Sequence, residues 1–428
     1  MSEEFLQYIW RYMLFEGDLQ TAATGETVEV LFQGELNTDA GPDFFNARIR
    51  INGTLWCGNV EVHLNSSDWL KHGHQNDKAY DNVILHVVKD YDAEVRRKNG
   101  ETITTIILRY RKKTEEKYRR LLTNRLWIPC QNDIIEPASF HLDFWLQSLL
   151  VERLEEKSSY IISNLERNNH DWEETFYQQL ARNFGMKVNE QPFELLARSL
   201  PLKYLARHKD NLLQVEALLF GQAGLLQQAV WDDGYFINLR REYEILRKKF
   251  NVKPLEKHHW KFLRLRPLNF PTIRIAQFSN LINKSSSLFS KTINSASAGE
   301  IRKLFTVSTS EYWNTHYVFG KEAKRRIKNT GNDMMNVLII NTIAPSLFVY
   351  GKLNDSASHC DLALRLTEEL KPENNSIISN WQKLGFIVRN ASDSQAFIQL
   401  KKKYCDEKQC LRCHIGNKII TGSEELEN

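Results

Sequence analysis

The chain has 428 residues, of which 42% are hydrophobic, and carries 57 Lys and Arg against 53 Asp and Glu, a formal net charge of +4. This length and apolar content predict two or three globular domains and exclude a disordered chain. The charge is too balanced to imply a polyanionic partner, so nucleic acid could be recognised only through local basic clusters.

The ends and the apolar stretches predict a cytoplasmic protein without a membrane span. The N-terminus, MSEEFLQYIW, lacks the basic and apolar regions of a signal peptide. The longest apolar stretch, 337–350, is too short for a bilayer and contains Asn341 and Pro345. The chain has six cysteines, three of them bunched near the C-terminal end, which is unlike a secreted disulfide framework.

In chain order, the first hundred residues alternate like the elements of a small α/β domain. Hairpin signals stand at Asn52-Gly53 and at Asn99-Gly100, and Ser67-Asp68 favours a helical turn. The predicted elements are a helix at 5–15, strands at 27–32, 44–51 and 55–64, a buried strand at 82–88, and a hairpin pairing 92–98 with 102–110.

After Tyr110 the pattern becomes charged and helical, with a Ser-rich loop predicted at 284–297. The fold class is therefore α+β: a mixed-sheet, nuclease-like α/β domain, a large mostly helical domain and a short cysteine cluster. The predicted boundaries are 1–125 for the α/β domain, 126–400 for the helical domain and 401–428 for the Cys-rich segment and tail.

Three residues of the α/β domain have the spacing of a metal-dependent active site. Asp43 begins one predicted strand, and Glu61 and His63 lie two residues apart on the next, on the same face. Carboxylates suit Mg²⁺ or Mn²⁺, and a neighbouring imidazole can orient an attacking water. The alternative is that Gly41-Pro42-Asp43 is an ordinary turn and that Glu61 and His63 face solvent.

Histidines are concentrated around this motif. His63, His72, His74 and His86 are four of the 12 histidines and fall within 24 residues. This density is typical of a metal pocket, and His72-Gly-His74 offers a His/carboxylate zinc site. Histidines on a surface turn are the alternative.

The sequence around these residues resembles the PD-(D/E)XK nuclease superfamily, in which an Asp is followed by Glu-x-Lys. Pro42-Asp43 and Glu61-Val62-His63 match that pattern, with Glu16 or Glu35 as a further acidic member. The resemblance implies catalysis by Asp43, Glu61 and His63, and metal binding by Asp43, Glu61 and Glu16. One position departs from it: His63 stands where the superfamily has lysine, and a neutral imidazole stabilises a phosphorane-like transition state less than an ammonium does.

A cysteine cluster lies near the C-terminal end. In KKKYCDEKQCLRCHIG, Cys405, Cys410 and Cys413 offer three thiols, and zinc or an iron–sulfur cluster needs a fourth ligand from Cys130, Cys57 or His414. Cys130 plus the trio resembles the iron–sulfur clamp of some nucleases of the same superfamily. The alternative is a tail helix with reduced cysteines.

Basic and aromatic residues interleave in two segments, 109–127 and 260–270. Guanidinium groups pair with phosphates and aromatic rings stack on bases, so Arg111, Lys112, Arg264 and Arg266 are candidate nucleic-acid contacts. Solvated helix faces with aromatic core anchors are the alternative.

Over nearly its whole length the chain resembles an uncharacterised bacterial family, domain of unknown function 2851, found mainly in Bacteroidetes. The segments that carry this resemblance are NTDAGPDF, GNVEVH, RHKDNLLQVEALLFGQAGLL, RPLNFPTIRIAQF, YWNTHY, INTIAPSLFVYG and YCDEKQCLRCHIG. It implies a cytoplasmic bacterial protein and brings no activity.

Two functions are therefore open. The first is a Mg²⁺- or Mn²⁺-dependent nuclease that hydrolyses phosphodiesters. The second is a non-catalytic scaffold that binds nucleic acid or protein through a degenerate nuclease-like domain.

Overall fold

The computed structural model describes residues 2–134, 136–137, 141–227 and 233–422. It divides into two compact units, Met1–Leu142 with Lys401–Asn428, and Asp143–Leu400. The C-terminal segment thus belongs to the same unit as the N-terminal domain, and residues 423–428 of the predicted tail lie outside the described residues. A mixed sheet followed by a mostly helical region confirms the α+β class.

The first unit, called here the N-terminal unit, begins with helix α1 (Glu3–Arg11), which buries Phe5, Leu6 and Trp10. A seven-stranded sheet follows, in the order β1-β2-β4-β5-β6-β7, with β3 paired to β4. The strands are β1 (Leu19–Gln20), β2 (Thr27–Phe32), β3 (Glu35–Leu36), β4 (Phe44–Ile51), β5 (Thr54–Asn65), β6 (Val83–Asp90) and β7 (Thr105–Ile107).

The sheet changes from antiparallel to parallel pairing at β5. Strands β4 and β5 form a hairpin at Asn52-Gly53, where φ is +45° and +82°, as a type I′ turn requires. Strand β6 then runs parallel to β5 after a crossover that contains helix α2 (Asp68–Lys71). The crossover brings the ends of β5 and β6 to the same edge of the sheet.

The last predicted hairpin of this domain is only partly correct. Arg96 and Thr102 form an antiparallel bridge around Asn99-Gly100. The following segment, Thr105–Ile107, instead pairs in parallel with β6. This pairing buries Ile106 completely, which an exposed hairpin arm would not. Helix α3 (Lys112–Thr123) follows and stays within the N-terminal unit.

The second unit, called the helical unit, contains a large apolar core built from its own residues. A small β-ribbon, β8 (His316–Val318) with β9 (Lys321–Glu322), interrupts the helices. The helices are α4 (Asp143–Arg167), α5 (Trp172–Phe184), α6 (Met186–Ser199), α7 (Leu202–Ala206), α8 (Leu212–Gln222), α9 (Gly234–Phe250), α10 (Pro271–Lys284), α11 (Leu288–Ile293), α12 (Ala298–Phe305), α13 (Asn332–Leu338), α14 (Ala344–Leu353), α15 (Ala357–Glu368), α16 (Ser376–Lys383) and α17 (Ala391–Gln399).

The Ser-rich segment predicted as a loop contains a helix, α11. Its Leu288 and Phe289 are buried in the core. The Glu173 carboxylate accepts hydrogen bonds from the backbone N–H groups of Phe289 and Ser290. A side chain distant in sequence therefore caps this helix, which local composition does not reveal.

Within the described chain, one continuous helical segment, Asn332–Leu353, is long and apolar enough to cross a membrane by length and composition alone. Of the 18-residue apolar stretch within this segment, 78% is buried inside the protein. A helix buried in the core of a folded domain can be equally long and apolar.

The N-terminal unit is completed by the C-terminal segment. A π-helical turn, Leu400–Cys405, precedes helix α18 (His414–Thr421), and α18 packs against α3. The Lys117 ammonium donates to the backbone carbonyl of Ile420 at 3.3 Å.

Candidate functional site

Two acidic side chains meet where β4 begins beside β5. Phe44 is paired with Val60, and this antiparallel register sets Asp43 opposite Glu61. The Asp43 backbone N–H donates to Glu61 Oε2 at 3.0 Å, and the Val62 N–H donates to Asp43 Oδ2 at 3.0 Å. Each carboxylate is thus held by the backbone of the other strand.

The face of β5 that carries Glu61 and His63 is buried, with exposed fractions of 5% and 2%. The solvent-facing alternative for these residues is therefore wrong. His86 lies on β6 directly opposite Glu61 and is also buried. Because parallel neighbours in register share a face, Glu61, His63 and His86 point to the same side of the sheet.

Four histidines surround this point. His63 Nδ1 lies 2.9 Å from His86 Nε2, and His63 Nε2 lies 3.2 Å from His72 Nδ1. Glu61 Oε1 lies 3.4 Å from His63 Nε2 and 3.3 Å from His74 Nε2. One donor nitrogen from each of His63, His72 and His74 lies within 4.8 Å of the others.

The loop after α2 positions His72 and His74. Gly73 between them has φ +76°, a left-handed conformation that other residues adopt at a cost. Tyr80 stacks on the His74 ring at 3.8 Å, and buried Trp69 contacts the same ring edge-on at 5.4 Å. These two aromatic contacts fix the His74 ring, which stacks on His63 at 5.3 Å, while His72 lies edge-on to His63 at 4.9 Å.

The electrostatics of the site follow from burial. Burial, followed by the neighbouring Glu61 carboxylate, raises the pKa of Asp43. Burial, and then His86, His74 and His72, lower the pKa of His63 to about 3. Burial is also the main reason that the pKa of His86 falls to about 3. The His63 and His86 rings are therefore neutral near pH 7, and a neutral imidazole nitrogen is a metal donor.

Helix α1 supplies two residues that the sequence motif did not identify. The Gln7 side-chain amide donates to Asp43 Oδ1 at 2.9 Å. Burial raises the pKa of Glu3, and His72 and Glu61 are among the charges that influence it. Glu3 and Gln7 are four residues apart on one helix face. That spacing is the only local signal that could have indicated them.

The structure does not bring the further acidic candidates to this site. Glu16 is exposed and pairs with Arg111 at 2.9 Å, and Glu35 is exposed on β3. Gln7, on α1, contacts Asp43 instead.

The four candidate cysteines are neighbours within the N-terminal unit. Cys130, Cys410 and Cys413 are each 6% exposed. Burial raises the pKa of Cys130, and Cys413 and Cys410 raise it further. Burial also raises the pKa of Cys405, with added contributions from the other three thiols. These four thiols therefore influence one another electrostatically, whereas Cys57 is exposed on β5. Within the described residues, the metal-holding group whose donor atoms lie within 4.8 Å of one another consists of His63, His72 and His74 and includes none of these thiols.

The candidate nucleic-acid contacts fall in different units. Arg111 and Lys112 are exposed at the start of α3 in the N-terminal unit. Arg264 and Arg266 are exposed in the helical unit, where Arg266 lines a cavity.

Three imidazole nitrogens within 4.8 Å of one another, with Glu61 Oε1 at 3.4 Å from His63 Nε2 and 3.3 Å from His74 Nε2, offer donors of the kind that a divalent transition metal takes. The His74 Nε2 and His86 Nδ1 atoms are buried without a hydrogen-bond partner among the described residues. His74 Nε2 lies 3.3 Å from Glu61 Oε1 without forming a hydrogen bond to it, and a cation bound between these two atoms would satisfy both. Coordination in this place is therefore chemically reasonable for the residues present.

Comparison with known proteins gives a family and no relative of known activity. No curated protein and no solved structure matches the chain. Residues 3–376 match the family described as "Protein of unknown function (DUF2851)". With nearly nine-tenths of its length in that match, the chain belongs to the DUF2851 family.

Proposed function

We propose that the N-terminal unit is a metal-dependent phosphodiesterase that acts on nucleic acid. The observation that carries this proposal is the meeting of two carboxylates, Asp43 and Glu61, with the three imidazoles of His63, His72 and His74. Paired acids beside a metal site are the elements of metal-assisted hydrolysis.

His63, His72, His74 and Glu61 would hold the metal. Imidazole nitrogen suits Mn²⁺ or Zn²⁺ better than Mg²⁺, which prefers an all-oxygen shell. Of the two ions expected from the sequence, Mn²⁺ therefore fits this donor set and Mg²⁺ does not. When bound, the ion would polarise the phosphoryl group and lower the pKa of a water.

The other residues orient the site and handle protons. A hydrogen bond from His63 Nδ1 to His86 Nε2 would leave the lone pair of His63 Nε2 directed towards His72 and Glu61. Asp43, fixed by Gln7 and by the Val62 N–H, would accept a proton from water at a carboxylate oxygen. His63 would thus act as a ligand, which accounts for a histidine at the lysine position of the resembled motif.

Nucleic acid is the favoured substrate class because of the order of the elements. Helix α1, the β4–β5 hairpin, α2 and the parallel β6 follow one another as in the nuclease superfamily that the motif resembles. Lys112 and Arg111, which also pairs with Glu16, are exposed cations on the same unit that could contact phosphate.

We also propose that Cys130, Cys405, Cys410 and Cys413 hold zinc or an iron–sulfur cluster. These four thiols come from two distant segments, three of them are buried, and their number and type are those that either centre needs. In this role the centre would be structural, joining the C-terminal segment to the segment that follows α3.

The activity is tested with single-stranded and duplex DNA and with RNA, in Mn²⁺, Zn²⁺ or Mg²⁺. We expect cleavage with Mn²⁺ or Zn²⁺, and a loss of about 100-fold or more in Asp43→Asn and Glu61→Gln. Glu16→Gln, an exposed acid of the same unit, is the matched control and should retain activity.

Metal binding is measured separately by calorimetry, so that an inactive but folded site is recognised. His72→Ala changes an exposed side chain, so it should preserve the fold and weaken Mn²⁺ binding at least tenfold. Equal cleavage by wild type and Asp43→Asn would contradict the proposal. Metal binding without cleavage of any substrate would favour the non-catalytic scaffold.

A further inference from the structure

A second site, within the helical unit, is formed by a basic cavity of about 520 Å³. The cavity has the size of small-molecule sites in proteins. Its walls carry four cations, Arg266, Arg274, Arg326 and Lys328, and one acid, Asp333. A cavity with three net positive charges is suited to an anion.

Arg274, on helix α10, has the most informative surroundings. It is only 6% exposed, and its guanidinium is held by neutral acceptors. Nη1 donates to Gln277 Oε1 at 2.8 Å, and Nη2 donates to Asn269 Oδ1 at 2.7 Å and to Met186 Sδ at 3.5 Å. Among the described residues Arg274 has no carboxylate partner, and its Nε has no hydrogen-bond partner.

A buried guanidinium that no carboxylate pairs with is costly, because desolvation penalises the charge and neutral acceptors compensate it only in part. The same desolvation lowers the pKa of Arg274 to about 10. A contrasting residue is Arg182, which is more exposed than Arg274 yet pairs with both Glu190 and Glu194. The fold therefore keeps a buried cation on the cavity wall and fixes its orientation with two amide side chains.

The rest of the wall indicates the class of ligand. Arg266 and Arg326 are exposed at the cavity, so they can reach an anion that enters from solvent. Met186, Leu268 and Met334 provide apolar surface beside the charges. Planar guanidinium groups match the oxygens of a phosphate, and the apolar wall can cover an organic body.

We propose that this cavity binds the phosphate group of a nucleotide, with Arg274, Arg266 and Arg326 as the phosphate-binding residues. The nucleotide is either free or the phosphorylated end of a nucleic acid, since both present the same chemistry. The proposal uses only residues of the helical unit, so it does not depend on the metal site of the N-terminal unit.

The test is calorimetry on the full-length protein with four probes: adenosine 5′-monophosphate, adenosine, a 5′-phosphorylated thymidine dinucleotide and the same dinucleotide without the terminal phosphate. We expect binding of the two ligands with a terminal phosphate and at least tenfold weaker binding of their counterparts. Tighter binding of the phosphorylated dinucleotide would identify a nucleic-acid end as the source, and tighter binding of the monophosphate a free nucleotide.

Variants connect the binding to the cavity. Arg274→Met and Arg326→Ala should each weaken phosphate binding about tenfold or more. The control is Arg325→Ala, which removes a neighbouring exposed cation that does not line the cavity and should leave phosphate binding unchanged. Because Arg326 is exposed, its variant should fold even if Arg274→Met does not. Absence of binding by either phosphorylated probe, or unchanged affinity in Arg326→Ala and in folded Arg274→Met, would overturn the proposal.

Discussion

At the scale of single residues, Glu216 on α8 is a buried acid that should make stability depend on pH. It is 2% exposed and accepts hydrogen bonds from Tyr235 Oη at 2.8 Å and from Ser310 Oγ at 2.7 Å. Burial outweighs these two hydrogen bonds and raises the pKa of Glu216 from 4.5 to about 7. The folded state therefore binds this proton more tightly than the unfolded state.

The sign of the effect follows by linkage. The protonated Glu216 carboxyl contributes to the free energy of unfolding; this contribution is fully present below pH 4.5 and is lost as the pH rises through about 7. We expect the free energy of unfolding to fall between pH 5 and pH 8 by on the order of 3 kcal/mol more in wild type than in Glu216→Gln. Urea unfolding at several pH values measures this difference.

An acid of the neighbouring helix provides the control. Glu244→Gln changes a carboxylate on α9 that is about half exposed. Its pH profile of stability should follow that of wild type. Parallel profiles for wild type and Glu216→Gln would contradict the assignment of the pH dependence to Glu216.

At the scale of elements, the C-terminal segment is attached to the N-terminal unit by specific contacts. The Lys408 ammonium donates to the backbone carbonyl of Leu122, and Asn417 donates to Tyr12 Oη at 3.3 Å. Gly416 packs so closely that a Cβ there would lie 2.1 Å from the Cys410 carbonyl oxygen. These contacts hold the loop that carries the cysteine trio in one conformation.

The proposed cysteine centre predicts a bound metal in this segment. Protein purified without oxygen should contain either about one equivalent of zinc or iron with acid-labile sulfide, and Cys130→Ser should lose it and unfold at a lower temperature. Elemental analysis and thermal unfolding provide the measurements. Cys57→Ser, which removes an exposed thiol on β5, is the control and should keep the metal.

Elemental analysis can also contradict the proposed cysteine centre. The proposed centre would be contradicted if wild-type protein contained neither zinc nor iron, or if Cys130→Ser kept its metal content unchanged. The thiols would then be reduced cysteines in an apolar environment, as the alternative interpretation of the sequence has it.

At the scale of the whole molecule, the two units differ in how their chain is assembled. The apolar core of the helical unit uses only residues between Leu150 and Ala391. The N-terminal unit, by contrast, includes the distant segment Lys401–Asn428, in which Cys410, Leu411 and Ile420 are buried. A fragment that contains every part of its core should fold alone.

This difference predicts the behaviour of fragments. Residues 143–400 should give a cooperative thermal transition and a helical circular dichroism spectrum by themselves. Residues 1–142 should be less stable than the same fragment joined by a flexible linker to residues 401–428. Equal melting temperatures for the two N-terminal fragments would show that the C-terminal segment contributes nothing to this unit.

The local sequence determined much of the fold. The alternating strands at 27–32, 44–51 and 55–64 and the turn at Asn52-Gly53 depend on neighbours along the chain, and the structure has all of them. The spacing of Glu61 and His63 fixed their common face for the same reason. The metal and nuclease roles of these residues remain proposals.

Other features depend on residues distant in sequence. Glu173 caps α11, and parallel pairing with β6 decides the path of β7. Neither contact leaves a signal in the local sequence, because the partner residues in each case belong to another part of the chain. The predicted loop at 284–297 and the predicted last hairpin were wrong or incomplete for this reason.

The sequence by itself therefore determined the α+β class, strands β2, β4, β5 and β6 of the N-terminal sheet, and the common face of Glu61 and His63. Only the tertiary structure decided that His72, His74 and His86 surround His63, that Gln7 contacts Asp43 whereas Glu16 pairs with Arg111, and that Arg274 is buried without a carboxylate partner among the described residues. The physical reason is the range of the interactions: periodicity and turns are encoded over a few residues, whereas burial and charge pairing are set by long-range packing.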